Sequence, residues 1–208
     1  MPLFTLEHSR TAYRVDFALY GLISLAMASA LLLASPAGSG AALAAWALTG
    51  LLAWSPAEYL LHRFVLHGVP PFNRWHDEHH RRPTALIGSP TLISVSLFAT
   101  LVAAPAGWLL GAWPACAMTF GLLTGYLAYG LTHHATHHAV PGLSRRGGWL
   151  ARRRRWHALH HQAHRASSRG ATAEPGLPAG HYGVSSALWD HAFGTAGQAR
   201  GSETVRRG

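Results

Sequence analysis

The stretch EYLLHRFVLHGVPPFNRWHDEHHRRP, residues 58–83, carries five of the sixteen histidines in this 208-residue chain. Two further stretches, THHATHH at 132–138 and WHALHH at 156–161, carry seven more, so that twelve histidines fall into four groups. The first group is an H-x4-H pair, and each later group contains histidines three or four residues apart. Residues with that separation share one face of a helix. The spaced histidines are His62, His67, His76, His79, His80, His157, His160 and His161, together with two pairs one turn apart, His133 with His137 and His134 with His138, of which only one need face the same point.

Imidazole side chains in this pattern indicate a metal centre. Neutral imidazole is the commonest protein ligand for transition metals and is accepted by zinc, iron, copper and nickel. One metal ion takes roughly four to six ligands, so ten convergent histidines suggest two ions. A single histidine is more often a solvated side chain, and a histidine tract can bind metal by accident. Neither alternative accounts for four groups with repeated helical spacing.

Long uncharged runs predict an integral membrane protein. The chain is 49% hydrophobic and 12% charged. The 41 residues between Asp16 and Glu58 carry no charge, and the 50 residues of 83–132 carry neither charge nor histidine. A membrane-spanning helix needs about 20 residues, so each run can hold two. We therefore expect an all-α protein with four transmembrane helices in two hairpins and a cytoplasmic helical cap that carries the histidines. The spans are expected near 16–34, 41–61, 90–110 and 114–132.

The arginines predict the orientation of the chain. The formal net charge is +9, and all seventeen basic residues are arginine. They lie before the first span, between the second and third spans, and after the fourth, whereas neither hairpin turn has any. By the positive-inside rule, both termini and all the histidine groups are expected on the cytoplasmic side. The run RRRR at 152–155 is interpreted as a contact with anionic lipid headgroups rather than with nucleic acid.

Six motifs carry a resemblance to a known family. They are HRFVLH at 62–67, HDEHH at 76–80, THHATH at 132–137, HALHH at 157–161, YGVSS at 182–186 and WDHAFGT at 189–195. In this order they resemble the fatty acid hydroxylase/sterol desaturase superfamily of membrane-bound histidine-box di-iron oxygenases. The resemblance covers roughly 58–195. We expect a single membrane domain over 1–208, with a disordered tail at 196–208.

The resemblance implies an activity and its cofactors. Of the two pairs in the third group, the family pattern matches His133 with His137, so the resemblance implies ten histidine ligands for two iron ions: His62, His67, His76, His79, His80, His133, His137, His157, His160 and His161. Zinc also binds imidazole and could fill a purified or resting protein. The enzyme would hydroxylate a C–H bond of a fatty acyl or sterol-like lipid from the bilayer, using O2. Because no fused cytochrome b5 domain is recognised, electrons would come from a separate cytochrome b5-, ferredoxin- or reductase-type donor. Gly130 stands where fatty acid 2-hydroxylases tend to have aspartate, which weakens any inference about the oxidised position.

Other polar residues near the motifs could support the metals. Carboxylates can accept hydrogen bonds from the ring N–H groups of ligating histidines, and the candidates are Asp190, Glu58, Asp77 and Glu78. The remaining histidines could be further metal or proton-transfer groups, with a surface position as the default: His134, His138, His164, His181 and His191. Two enzymatic alternatives use the same centre, a desaturase and a carotenoid-type hydroxylase. A non-catalytic metal-binding membrane protein is the alternative of another class.

Overall fold

The structure is a computed structural model that describes residues 6–139, 147–168 and 180–197. Within these ranges all seven regular elements are helices, and a single isolated β-bridge joins Glu7 to Ile87. The helices are α1 (Arg10–Leu33), α2 (Gly40–Leu66), α3 (Phe72–Arg81), α4 (Thr91–Leu110), α5 (Ala112–His137), α6 (Trp149–Ser168) and α7 (Leu188–Ala192). Part of the expected tail, 198–208, lies outside the described residues.

Helices α1, α2, α4 and α5 are each long and apolar enough to cross a membrane, as the uncharged runs predicted. Their outward surfaces are apolar: Leu22, Leu33 and Trp108, for example, are 63%, 87% and 86% exposed. Such exposure suits contact with lipid. The first helix begins at Arg10, six residues before the expected start, because Ser9 caps it by accepting a hydrogen bond from the amide of Ala12 at 3.1 Å.

Close packing of α2 against α5 fixes the centre of the molecule. A Cβ atom on Gly50 would lie 2.0 Å from the carbonyl oxygen of Met118, and one on Gly121 would lie 1.9 Å from that of Ala47. The two backbones therefore touch at reciprocal glycines, as small residues permit between membrane helices. This contact sets the relative position of the histidines at the end of each helix.

Helix α2 ends in a π-helical segment over Leu61–Leu66. A π-helix bonds residue i to residue i+5, which is the separation of His62 and His67. Their rings consequently stack at 5.2 Å between centroids. The H-x4-H spacing is the sequence signal for this segment.

Candidate metal centre

The first histidine group, group A, gathers five rings from α2 and the residue after it, from α3 and from α6: His62, His67, His76, His80 and His160. One nitrogen of each ring lies within 4.8 Å of that of every other. Nε2 of His76 is 3.0 Å from Nε2 of both His62 and His80. Nε2 of His160 is 3.1 Å from that of His67 and 3.2 Å from that of His80. All these side chains are buried except His67, which is half-buried.

The second group, group B, gathers four rings from α3, α5 and α6 within the same 4.8 Å limit: His79, His133, His137 and His157. Nε2 of His157 is 3.1 Å from that of His133 and 2.9 Å from that of His137. His161 adjoins this group, with its Nε2 3.1 Å from that of His157. The ten histidines that the resemblance implies as ligands thus come together in two neighbouring groups.

Helical geometry explains how single motifs supply both groups. On α3, His76 and His80 lie one turn apart and belong to group A, whereas His79 points to group B. On α6, His160 belongs to group A and His157 to group B. Each residue rotates the side chain by about 100°, so an H-x2-H-H motif can face two adjacent centres.

Two backbone carbonyls set the proton positions of group A. The Nδ1–H of His62 donates to the carbonyl oxygen of Tyr182 at 2.5 Å, and that of His160 donates to Gly180 at 2.9 Å. A carbonyl oxygen can only accept, so Nδ1 carries the proton in both neutral rings and Nε2 presents a lone pair to the group.

The donor set fits a metal ion in each group. Lone pairs brought to about 3 Å repel one another unless a cation lies between them. With metal–nitrogen bonds of about 2.0–2.1 Å, ligands at right angles have nitrogens about 3 Å apart, and the observed separations are 2.9–3.2 Å. Among the described residues, neither ring nitrogen of His79 has a hydrogen-bond partner, although the side chain is only 5% exposed. A buried imidazole without partners is what a missing ligand bond would leave.

Burial keeps these rings neutral. Desolvation, with smaller contributions from neighbouring imidazoles, lowers the pKa of His67 to about 3. The pKa of His79 falls to about 4 for the same main reason, as does that of His160 despite its bond to Gly180. Burial also lowers the pKa of His76 and His157. All these nitrogens are therefore available as metal ligands at neutral pH.

Asp190, which is 0% exposed, bonds to the backbone of residues 180–195, the closing segment, rather than to a histidine ring. Its Oδ1 accepts from the amide of Tyr182 and the hydroxyl of Thr195, each at 2.8 Å. Its Oδ2 accepts from the amide of Gly183 at 2.8 Å and the indole of Trp156 at 3.1 Å. The carboxylate thereby fixes the peptide whose carbonyl holds His62.

Glu58 holds the next residues of the same segment. Its Oε1 accepts from the amides of Val184 at 2.7 Å and Ser185 at 2.8 Å, and its Oε2 accepts from the Ser185 hydroxyl. Glu58 is 3% exposed and lies one turn before His62 on α2. Glu58 was a candidate acceptor for a histidine ring N–H, but these partners anchor the closing segment to α2 instead.

The other two carboxylate candidates lie further out. Asp77 lies 3.2 Å from Nε2 of His164, whose ring centroid is 4.2 Å from that of His80. Glu78 pairs with Arg81 at 2.7 Å and Arg82 at 3.5 Å on the surface. Neither carboxylate is bonded to a ring of group A or B among the described contacts.

The remaining histidines lie outside both groups. The rings of His134 and His138 stack at 4.3 Å on another side of α5. His181 is buried beside Trp156, with a centroid distance of 4.5 Å. His191 is exposed.

The basic run on α6 has two faces. Arg153 is buried against Trp156, with its guanidinium carbon 5.5 Å from the ring centroid. Arg154 donates to the carbonyls of Ala135 at 2.7 Å and His138 at 2.8 Å, and so caps α5. Only Arg152 and Arg155 are exposed, so the run contributes fewer outward charges than we expected.

An apolar cavity of about 590 Å³ reaches the two groups from between the spanning helices. His62, His76, His79 and His133 line it, and aromatic and aliphatic side chains from the spanning helices line much of the rest. A few polar contacts lie in its wall: Thr91 donates to Asp16 at 2.5 Å, and the hydroxyls of Tyr20 and Ser94 are 2.5 Å apart. The arrangement can hold a long apolar molecule against the histidine centre.

Comparison with known proteins identifies relatives. The sequence profile of the family described as "Fatty acid hydroxylase" matches residues 47–195. The chain is 28% identical over 171 residues to fatty acid 2-hydroxylase of Macaca fascicularis, covering 71% of this chain and 38% of that protein. It is 30% identical over 166 residues to dihydroceramide fatty acyl 2-hydroxylase FAH2 of Arabidopsis thaliana, covering 70% and 58% respectively.

A solved structure shares the fold. The structure described as full-length scs7p, with only its hydroxylase domain visible, aligns with a TM-score of 0.64 at 22% identity. The alignment covers 91% of this chain and 67% of the other. Because the family profile spans most of the chain and all the histidine groups, the predicted resemblance is confirmed: the chain belongs to the fatty acid hydroxylase family.

Proposed function

We propose that this protein hydroxylates an unactivated C–H bond of a membrane lipid, with one iron ion in each histidine group. One observation carries the proposal: ten histidines converge at an apolar cavity between helices that are long enough to span a membrane. The relatives named as fatty acid and fatty acyl 2-hydroxylases support a fatty acyl chain as the part that reacts.

Group A would hold one ion through five imidazoles, and group B would hold the other through four, with His161 beside them. When bound, the iron ions would supply the activation of O2 that oxidation of an alkyl C–H bond requires. The overall reaction joins R–H, O2, two electrons and two protons to give R–OH and water. The electrons would come from a separate cytochrome b5-, ferredoxin- or reductase-type protein. Zinc would occupy the same imidazoles without supplying redox chemistry.

The chain's own residues bind and orient the reactants. The aromatic and aliphatic wall of the cavity would hold the lipid tail by burying it from water. Histidines of both groups line that cavity, so a methylene group inside it lies against the metal ligands. Glu58 and Asp190 keep the closing segment in place, and its carbonyls keep the rings of His62 and His160 turned inward.

The arginine distribution supports a cytoplasmic centre. Both histidine groups lie at one end of the spanning helices, where α2 and α5 end. An electron donor on the cytoplasmic side would approach the same end. Exposed Arg152 and Arg155 on α6 would contact anionic headgroups there.

The test is product analysis in cells that express the protein under 18O2. The proposal predicts one 18O atom in a lipid acyl chain, and loss of this product in the His160→Ala, His161→Ala double variant. His191→Ala, which changes an exposed histidine outside both groups, is the matched control and should keep the product. A new double bond instead of a labelled hydroxyl would identify a desaturase. No lipid change in any strain supplied with each class of electron donor would contradict the proposal.

A further inference from the structure

A second recess, of about 780 Å³, lies where the start of α1 approaches the end of α5. Its polar and charged lining consists of Arg10, Tyr13, Arg14, Thr84, His134 and His138. On α1, Arg10 and Arg14 are one turn apart. His134, in the last turn of α5, and His138, directly after the helix, place the recess at the same end of the molecule as the metal centre.

The recess is positively charged. Among the residues that the structure describes, no aspartate or glutamate lines it. The nearest acidic residues in the sequence have other partners: Glu7 pairs with Arg82 at 2.5 Å, and Asp16 accepts from Thr91. Within the described part of the chain, the guanidinium groups of Arg10 and Arg14 make no hydrogen bond or ion pair. Two cations without an internal counter-ion favour an anionic ligand.

The histidine pair gives this recess its own donors. His134 and His138 follow His133 and His137 by one residue each, and the rotation of about 100° per residue turns them away from group B. The ring of His134 is 5.4 Å from that of Tyr13. A neutral imidazole keeps one N–H donor in either tautomer, so this contribution does not depend on protonation.

We propose that this recess binds the carboxylate or phosphate head group of the lipid substrate. Tyr13 and Phe17 line both the recess and the apolar cavity, so these two side chains form a shared wall between head and tail. Guanidinium groups bind carboxylate and phosphate through paired hydrogen bonds. The inference rests on the proposed function and narrows its substrate class to anionic lipids.

The test measures equilibrium binding of radiolabelled hexadecanoate and hexadecanol to the purified full chain in neutral detergent. In the Arg10→Gln, Arg14→Gln variant, hexadecanoate binding should weaken by at least about tenfold, as loss of charge-assisted hydrogen bonds requires. Hexadecanol binding should not change, which also reports that the variant is folded. Arg10→Lys, Arg14→Lys retains the charge and should keep most of the affinity. Arg152→Gln, Arg155→Gln removes the same charge from exposed positions outside the recess and should behave as wild type.

Competition identifies the source of the anion. Dodecyl phosphate should displace hexadecanoate at far lower concentrations than inorganic phosphate does. Equal displacement by the two would overturn the lipid assignment, because it would make the recess a site for free anions. Wild-type binding by the Gln variant, or equal loss in the 152/155 control, would overturn it as well. Since binding is measured without turnover, these outcomes are independent of whether the protein hydroxylates a lipid.

Discussion

The Nδ1–H of His62 donates a 2.5 Å hydrogen bond to the carbonyl oxygen of Tyr182, 120 residues further along the chain. The amide of Tyr182 in turn donates to Asp190 at 2.8 Å. The inward orientation of this imidazole therefore depends on a buried carboxylate that bonds to no ring of the metal centre. The position of the C-terminal segment and the orientation of His62 in group A are therefore coupled.

Replacement of Asp190 should weaken metal binding without removing a ligand. The Asp190 carboxylate accepts in all four of its hydrogen bonds. Asp190→Asn therefore turns an NH2 group toward a backbone or indole N–H, so that two donors face each other. We expect metal affinity to fall by about 10- to 100-fold and stability to fall by about 2–4 kcal/mol. Competition with a chelator and thermal unfolding measure the two effects.

The matched control is Glu78→Gln, which removes a carboxylate that pairs only at the surface with Arg81 and Arg82. Surface ion pairs contribute about 0–1 kcal/mol, so both readouts should stay close to wild type. Equal metal affinity in Asp190→Asn and Glu78→Gln would rule out the positioning role of Asp190.

The glycine contact between α2 and α5 should tolerate no side chain. Gly121→Ala places a Cβ atom 1.9 Å from the carbonyl oxygen of Ala47, so the helices must separate and the histidines at their ends must move. We expect the yield of folded protein and its metal content to drop sharply. Gly107→Ala, on α4 with open space around the new Cβ, should be neutral or more stable by about 0.5–1 kcal/mol. Size-exclusion profiles in detergent compare the two, and indistinguishable profiles would refute the packing argument.

The metal-free protein should lose stability as the pH falls below about 6.5. Exposed imidazole has a pKa of about 6.5, whereas burial lowers that of His67 to about 3 and those of His79 and His160 to about 4. Between those values the unfolded chain takes up protons that the folded chain does not, which favours unfolding. The melting temperature of chelator-treated protein should therefore decrease from roughly pH 7 to pH 5. A melting temperature that is constant or rises over this range would show that the rings are not buried as neutral groups.

Narrowing the cavity should shorten the lipid chain that the enzyme accepts. Leu122 lines the cavity on α5 and lies 11 residues before His133, roughly 16 Å along the helix. Leu122→Trp should reduce conversion of long acyl chains more than that of short ones, because the indole fills space that the tail needs. Leu109→Trp, at a position 67% exposed on the outer surface, should keep the wild-type profile. Product analysis across acyl lengths compares them, and equal profiles would exclude this cavity as the acyl site.

Much of the architecture was predictable from periodic signals. Uncharged runs gave four helices able to span a membrane, and three- and four-residue spacings gave histidines that share a face. Helix α3 ends at Arg81, because the residue before Pro83 is disfavoured in helical geometry. Such features depend on local geometry, which sequence encodes directly.

Long-range contacts were not predictable from those signals. Glu58 and Val184 are bonded although 126 residues separate them, and no local pattern indicates that this glutamate meets backbone amides rather than a ring. In THHATHH, the second pair of histidines, His134 and His138, lines the recess only because the start of α1 packs against the end of α5. Burial of Arg153 within the basic run likewise depends on where α6 docks.

The number of metal ions that each histidine group binds tests the central claim most directly. Elemental analysis of gently purified wild-type protein should give two ions per chain. The pairs His67→Ala, His80→Ala in group A and His133→Ala, His137→Ala in group B each leave too few imidazoles for an ion, so each double variant should lose one ion while the other group keeps its own. The combined variant should hold none, and His191→Ala should hold two. Wild-type protein with no metal, or variants that keep the wild-type content, would contradict a centre built from these two groups.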